Sequence, residues 1–250
     1  FLSLFLYYFY NQVLGLSPFL TGLAIALSAL VDAVTDPLIG NLSDKYNSSY
    51  GRRIPFMIWG IFPFSLSLLL LFSLDFGPSQ FGLFLQLFLL IMITRISGTL
   101  SFIPRASLGI EMVKGYEDRN LLHAKNNNYG IWGYIFVYIV ISNIFRDSWN
   151  NQEDYLFVIK LVALMVFITN LYSIFKLRNI ESSYLMRPED SKPKKGPGVI
   201  SGLVQLWKNN SWRNLIIGSS LFGFIGSFNG VFTLYMTNYL WEWKPYEFFL

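Results

Sequence analysis

The stretch Asp32–Arg53 reads D-A-V-T-D-P-L-I-G-N-L-S-D-K-Y-N-S-S-Y-G-R-R. Upstream, Pro18–Val31 is almost wholly apolar, and downstream Ile54–Leu74 carries no charge. Asp32 and Asp36 therefore stand inside a hydrophobic segment that a basic loop closes. An ionised side chain at the centre of a bilayer costs about 2.5–3.5 kcal/mol on insertion scales. A chain that accepts this cost at both positions has a use for the carboxylates. A spacing of four on a helix is about 40° of rotation and about 6 Å of rise, so both face one side. Carboxylates stacked on one face can hold a proton or a small hard cation such as Na⁺. The alternative is an ion pair with a basic residue of another span. Arg95, near the middle of the fourth apolar segment, is the obvious partner, for Asp32 or for Asp36.

Working outward, hydropathy divides the chain into apolar segments too long for strands, so all are expected to be helices. Residues 1–16 form part of a first span. Pro18–Leu42, Ile54–Leu74, Phe81–Ile103, Asn128–Phe145 and Tyr155–Leu177 form the second to sixth. A polar linker over 178–213 precedes a seventh span, Asn214–Leu240. Its S-K-P-K-K-G-P-G run reads as a flexible joint, and Ser201–Trp212 reads as a short amphipathic helix on the membrane surface. The first and seventh spans end in similar tyrosine-rich runs, Y-Y-F-Y-N-Q and Y-M-T-N-Y-L-W, of the kind that occurs at any membrane interface.

The composition agrees: 53% hydrophobic, 18% aromatic and 14% charged residues in 250, with a mean hydropathy of +0.43, is that of an integral membrane protein. There is no cysteine, which excludes disulfides and thiolate metal sites. The net charge of +4 records basic loops and not nucleic-acid binding. Loops 43–55, 111–127 and 176–213 hold three, three and eight of the 19 Lys and Arg residues, which sets them on the cytoplasmic side of a plasma membrane. The chain starts and stops inside apolar runs and reads as a fragment of a longer protein.

Other features have plainer readings. His123, the only histidine, is expected to be solvated in a cytoplasmic loop. Asn41, Asn47 and Asn209 begin N-x-S triplets in loops expected to face inward, away from glycosylation. Gly226–Gly230 reads as a close-packing motif. Arg95 and Arg105 lie ten residues apart, about 80° and roughly 15 Å on a helix. Arg105 is expected to snorkel to the cytoplasmic edge, whereas Arg95 needs a partner or a water-filled cavity. No nucleophile–base pair, metal-ligand cluster or phosphate loop is present, so an enzyme is not expected.

D-x-x-x-D-P-x-x-G-x-x-S-D-K followed by G-R-R-x-P resembles the second span and following loop of the glycoside–pentoside–hexuronide:cation symporters, the melibiose-carrier-like branch of the major facilitator superfamily. Asp32, Asp36, Pro37, Gly40, Ser43, Asp44, Lys45, Gly51, Arg52, Arg53 and Pro55 carry the match. A second block, Ile103-Pro104, Leu108-Gly109, Glu111 and Asp118-Arg119, resembles the region after that family's fourth span. The resemblance implies an all-α membrane bundle with about seven of an expected twelve spans: a six-helix bundle over 1–177, a central linker over 178–213, and the start of a second bundle over 214–250. It implies a monomeric secondary transporter that couples a sugar, glycoside or similar small polar solute to Na⁺ or H⁺, with no other cofactor. A lysolipid or other amphiphile carrier is the alternative, or a non-transporting receptor with the same fold.

For sites, the resemblance implies cation binding by Asp32 and Asp36, with hydroxyl oxygens from Thr35 and Thr99. It implies a substrate cavity around Arg95, Phe102, Arg105 and Asn127, and a gate latch at Gly40, Asp44, Lys45, Gly51, Arg52 and Arg53. Gly40 is expected to allow close helix approach. The chain departs from melibiose-type carriers at Phe102, where they carry an aspartate, at Ala106, where they carry an aromatic, and near Asn126–Asn127, where they carry an arginine. The resemblance thus implies the machinery and leaves a galactoside cargo unsupported.

Overall fold

The computed structural model describes residues 2–46, 48–113, 115–145, 149, 151–185, 199–244 and 247. Its elements are α1 (Leu2–Tyr8), which runs straight into a π-helical turn (Phe9–Val13), α2 (Pro18–Lys45), α3 (Ile54–Ser73), α4 (Gln80–Met112), α5 (Tyr116–Ile144), α6 (Gln152–Leu185), α7 (Val199–Trp207) and α8 (Asn210–Tyr235), which ends in a second π-helical turn (Met236–Leu240). Short polar signals set the helix starts. Ser17 caps α2 by accepting from Leu20 N at 3.3 Å, with Pro18 in the first turn, where its missing N–H costs nothing. Ser79 caps α4 through Gly82 N at 3.0 Å. Asn209 caps α8 by accepting from the N–H groups of Ser211 and Trp212; the triplet asparagine is thus a helix cap.

Four helices run further than hydropathy suggests. α2 continues to Lys45, α4 continues through Pro104 to Met112, α6 reaches Leu185, and α5 begins at Tyr116. Hydropathy marks where lipid contact stops, not where backbone hydrogen bonding stops. The expected 111–127 loop is therefore mostly the first three turns of α5, where Glu117 and Asp118 complement the helix dipole, and His123 sits exposed on that helix. The described parts of the expected linker 178–213 are likewise largely helical. The surface helix expected over Ser201–Trp212 is Val199–Trp207, followed by a turn into α8. The flexible-joint run 191–198 lies outside the described residues, as do Asn47 and Arg146.

Among the described residues, five helices are long and apolar enough to cross a membrane: α2, α3, α4, Gln152–Arg178 of α6, and Asn210–Leu240. Seven spans were expected. The described part of α1 has seven residues, and α5, expected to span over Asn128–Phe145, carries Asn126, Asn127, Asn128, Tyr134 and Tyr138 and falls short in hydropathy.

α3 is the most enclosed helix, wedged between α4 and α6, and α2 packs on the far side of α4. The α3–α4 approach is close at Gly60, where a Cβ would lie 2.7 Å from the Ser97 carbonyl oxygen. Two apolar cores result. The larger gathers Phe5, Phe9, Phe72, Phe145, Trp149 and Tyr155 at one end of the bundle, and the smaller gathers Ile54, Met57, Ile61, Leu108 and Ile174 at the other. Within the larger end, fully buried Gln86 donates to Tyr10 Oη and to Leu74 O and accepts from Phe76 N. Within α8 only Leu234 is buried, and a Cβ at Gly218, Gly223 or Gly226 would meet nothing within 4 Å among the described residues. The close packing expected of Gly226–Gly230 is thus not made at Gly226 by the described residues.

Candidate functional site

α2 and α4 run in the same direction, and their polar residues are in register. Arg95 Nη1 donates to Asp32 Oδ2, and one turn on, Thr99 Oγ1 donates to Asp36 Oδ1 at 2.7 Å. Each pair is separated by 63 positions. The i, i+4 spacing on α2 thus meets the same spacing on α4. The two aspartates end up in different states. Asp32 is neutralised by a guanidinium, with side chains only 26% and 31% exposed for Asp32 and Arg95. Among the described residues Asp36 is held only by a neutral hydroxyl, that of Thr99. Asp32 Oδ1, Arg95 Nε and Thr35 Oγ1 are buried without a hydrogen-bond partner.

Both carboxylates open on a cavity of about 730 Å³ between α1, α2, α3, α4, α6 and α8. Asp32, Asp36, Thr94, Arg95 and Thr99 form a polar strip on its wall, and Leu6, Ile25, Phe64, Leu68, Ile91, Phe102, Ile103, Val162 and Val231 make the rest largely apolar. Ser227 of α8 faces the same space. Among the described residues no group of three or more His, Cys, Asp or Glu converges, so a cation here would draw on two carboxylates and hydroxyl oxygens, a donor set suited to a hard ion.

The residues expected in the cavity divide. Arg95 and Phe102 line it, with the Phe102 ring edge-on to Phe64 at 5.3 Å. Arg105 does not line it and does not reach for the bundle edge. It donates to Asn170 Oδ1 on α6 and lies 5.9 Å from the Phe102 ring. Asn170 in turn donates to Val166 O at 2.7 Å; a lone asparagine in the apolar run of α6 was the available signal for it. Asn127 is exposed on α5, away from the cavity. Thr35 is half-buried and outside the lining, so only Thr99 of the two threonines reaches a carboxylate.

The latch residues meet at the end of the bundle nearest Asp44. The Arg53 side chain is only 4% exposed. It donates to Asp44 Oδ1 through Nη2 at 2.7 Å and Nε at 3.2 Å, and to Glu111 Oε1 at 2.8 Å. Arg52 joins Glu111 at 3.3 Å. One buried cation thus ties the end of α2 to the end of α4 from the cap position of α3. Gly51 adopts φ +104°, a region that favours glycine, and so turns the chain into the arginine pair. Lys45 is exposed in the last turn of α2, where a cation suits the helix dipole. At Gly40 a Cβ would lie 3.6 Å from Ile103 Cγ2, an ordinary contact, so the close approach expected there is found at Gly60 instead. Glu111 completes this charged network and is not among the residues expected in it from the sequence. It lies past the apolar part of α4, where hydropathy suggests a loop.

A bundle of membrane-length helices without strands among the described residues, with carboxylates opening on a central cavity, is a membrane helix bundle of the major facilitator superfamily type. The chain belongs to the family described as MFS/sugar transport protein, whose model matches residues 1–249, and within it to the glycoside–pentoside–hexuronide:cation symporter branch. It is similar to the uncharacterized symporter sll1374 of Synechocystis sp., 29% identical over 195 residues, 75% of this chain and 36% of that protein. Shorter matches are to YagG of Escherichia coli (strain K12), a provisionally assigned glycoside/cation symporter, 43% identical over 26% of this chain and 14% of that one, and to the isoprimeverose transporter of Lactiplantibacillus pentosus, 30% identical over 28% and 15%. The chain spans about a third of the length of sll1374, its broadest match among these. No solved structure matches it significantly.

Proposed function

We propose that the chain forms part of a secondary transporter that moves a sugar, glycoside or similar small polar solute together with one cation, Na⁺ or H⁺. The observation that carries this reading is the unequal state of the two aspartates. Arg95 neutralises Asp32, which leaves Asp36, hydrogen-bonded by Thr99, as one negative charge on the cavity wall. One residual charge suits one monovalent cation. The similarity to YagG and to the isoprimeverose transporter supports the solute class. The basic loops support a cytoplasmic position for the Asp44 end and an outer position for the Tyr8 end. Residues 1–177 then form the first bundle, and α8 opens the second.

The test is solute uptake by the full-length protein in reconstituted vesicles, with Na⁺ and pH gradients imposed separately. Asp36→Asn should abolish cation-driven accumulation and spare downhill exchange, since the cavity remains. Asp32→Asn should weaken cation affinity, because it frees Arg95 to compete for Asp36. If both variants still concentrate solute under every gradient, the carboxylates are structural. A second reading, an amphiphile carrier, is favoured by the apolar bulk of the lining. Competition of uptake by a long-chain alkyl glycoside but not by the parent sugar would decide for it.

A further inference from the structure

The two π-helical turns are copies of each other. Shifting by 227 positions carries Phe5, Tyr8, Asn11 and Pro18 onto Phe232, Tyr235, Asn238 and Pro245. The backbone follows the same shift. Leu14 N bonds Phe9 O at 3.0 Å and Trp241 N bonds Met236 O at 3.0 Å, while Leu16 N bonds Tyr10 O at 2.8 Å and Trp243 N bonds Thr237 O at 3.0 Å. Both turns are then closed by left-handed residues at matching positions, Gly15 at φ +75° and Glu242 at φ +52°. Positive φ is uncommon for a non-glycine residue such as Glu242, and its occurrence at the position equivalent to Gly15 marks a repeated unit.

The copies also face each other as a two-fold pair would. Tyr235 donates to Asn11 Oδ1 at 2.6 Å, and Asn238 donates to Tyr8 Oη at 3.0 Å. These are one contact and its exchange partner, differing in which end of the amide meets the phenol. The residues on the axis pair with their own equivalents: the Tyr8 and Tyr235 rings lie 5.3 Å apart, and Tyr239 donates to Gln12 Oε1 at 2.6 Å. Reciprocal contacts of this kind define an isologous interface. α1 and α8 run in parallel, so the axis lies along them, as for parallel repeats. Below the contact, Leu6, Tyr7, Ser227 and Val231 line the cavity, so the contact is its ceiling.

We propose that Tyr8, Asn11, Tyr235 and Asn238 form the outer gate, a neutral two-fold clasp whose halves contribute equally and whose release opens the cavity at that end. Opening has no other function unless the cavity carries a solute, so the proposal rests on the transport reading. Labelling, however, needs no solute. The clasp can therefore fail while flux stands, and flux can fail while labelling stays gated.

The experiment uses the full-length protein with any cysteine beyond this chain replaced by serine. Ser227→Cys reports cavity access to a membrane-impermeant maleimide added outside intact cells, normalised to a cysteine at exposed Asp75. One hydrogen bond is worth about a two- to tenfold population shift. Tyr8→Phe and Tyr235→Phe keep the rings packed, and each should raise the labelling rate by that factor. Asn238→Ala added to Tyr8→Phe should add little, because the two break one bond, whereas Tyr8→Phe with Tyr235→Phe should multiply. Placing acidic groups at both asparagines, Asn11→Asp with Asn238→Asp, should raise labelling most. Unchanged or lowered labelling in both phenylalanine variants overturns the clasp, and so does a rise in only one of them, which would deny the two-fold.

Discussion

The two ends of the bundle are closed by opposite chemistry. At the Asp44 end, one buried guanidinium is shared by two carboxylates that are 55% and 45% exposed. All three charges belong to α2, α3 and α4. At the Tyr8 end, the contact is neutral, reciprocal and made between α1 and α8. The difference is one of redundancy. The neutral clasp divides its strength among equivalent bonds, so the loss of one leaves its mirror image intact. The charged network concentrates its strength on Arg53, whose loss removes the bond to Asp44 and leaves Glu111 with Arg52 alone of the two arginines.

The sharpest way to break the comparison is therefore Arg53→Ala. Removing one member of a buried ion pair costs about 3–5 kcal/mol, and the half-exposed carboxylates reduce this to about 2–3 kcal/mol. The thermal unfolding midpoint of the purified protein should fall clearly below that of Tyr8→Phe, which breaks no ion pair. Equal shifts would erase the distinction between the two ends. Next in size is Asp44→Ala, which leaves Arg53 bound to Glu111 and should cost no more than about 1 kcal/mol in stability. It should lower transport rate more than solute affinity, because a latch sets the population of access states without touching the cavity. Unchanged turnover at equal expression would reduce Asp44 to a topology signal.

How far the sequence was legible differs between the same two ends. Charges inside or beside apolar runs are conspicuous, so Asp32, Asp36, Arg95, Asp44, Arg52 and Arg53 could be picked out, and the helical membrane class with them. Which aspartate takes Arg95 depends on the α2–α4 register, which only packing supplies. Glu111 was obscured because hydropathy ends α4 at Ile103, two turns short. Gly60 looks like any glycine in an apolar run until Ser97 is seen beside it. The tyrosine-rich ends of α1 and α8 were visible as similar but resemble any interfacial belt. Their equivalence lies in backbone turns and reciprocal bonds that residue types alone do not encode.

The smallest effect, and the finest test of the contrast, is the response to salt. Raising ionic strength from 0.1 M to 1 M shortens the screening length from about 10 Å to about 3 Å. Screening weakens the latch, whose carboxylates and Arg52 are in contact with solvent. It leaves phenol–amide bonds nearly untouched, since they join no net charges. Ser43 is 1% exposed near the Asp44 end of α2, so a cysteine there reports latch opening in inside-out membranes. Surface ion pairs are worth about 0–1 kcal/mol, so high salt should raise labelling of Ser43→Cys only about two- to threefold. Labelling of Ser227→Cys from the outside should stay constant. In Arg53→Ala the Ser43 rate should start high and lose most of its salt dependence, because only the partly exposed Arg52–Glu111 pair is left to screen. A salt response of equal size at both ends would mean that salt acts on the whole bundle, and the division into a charged and a neutral closure would fall.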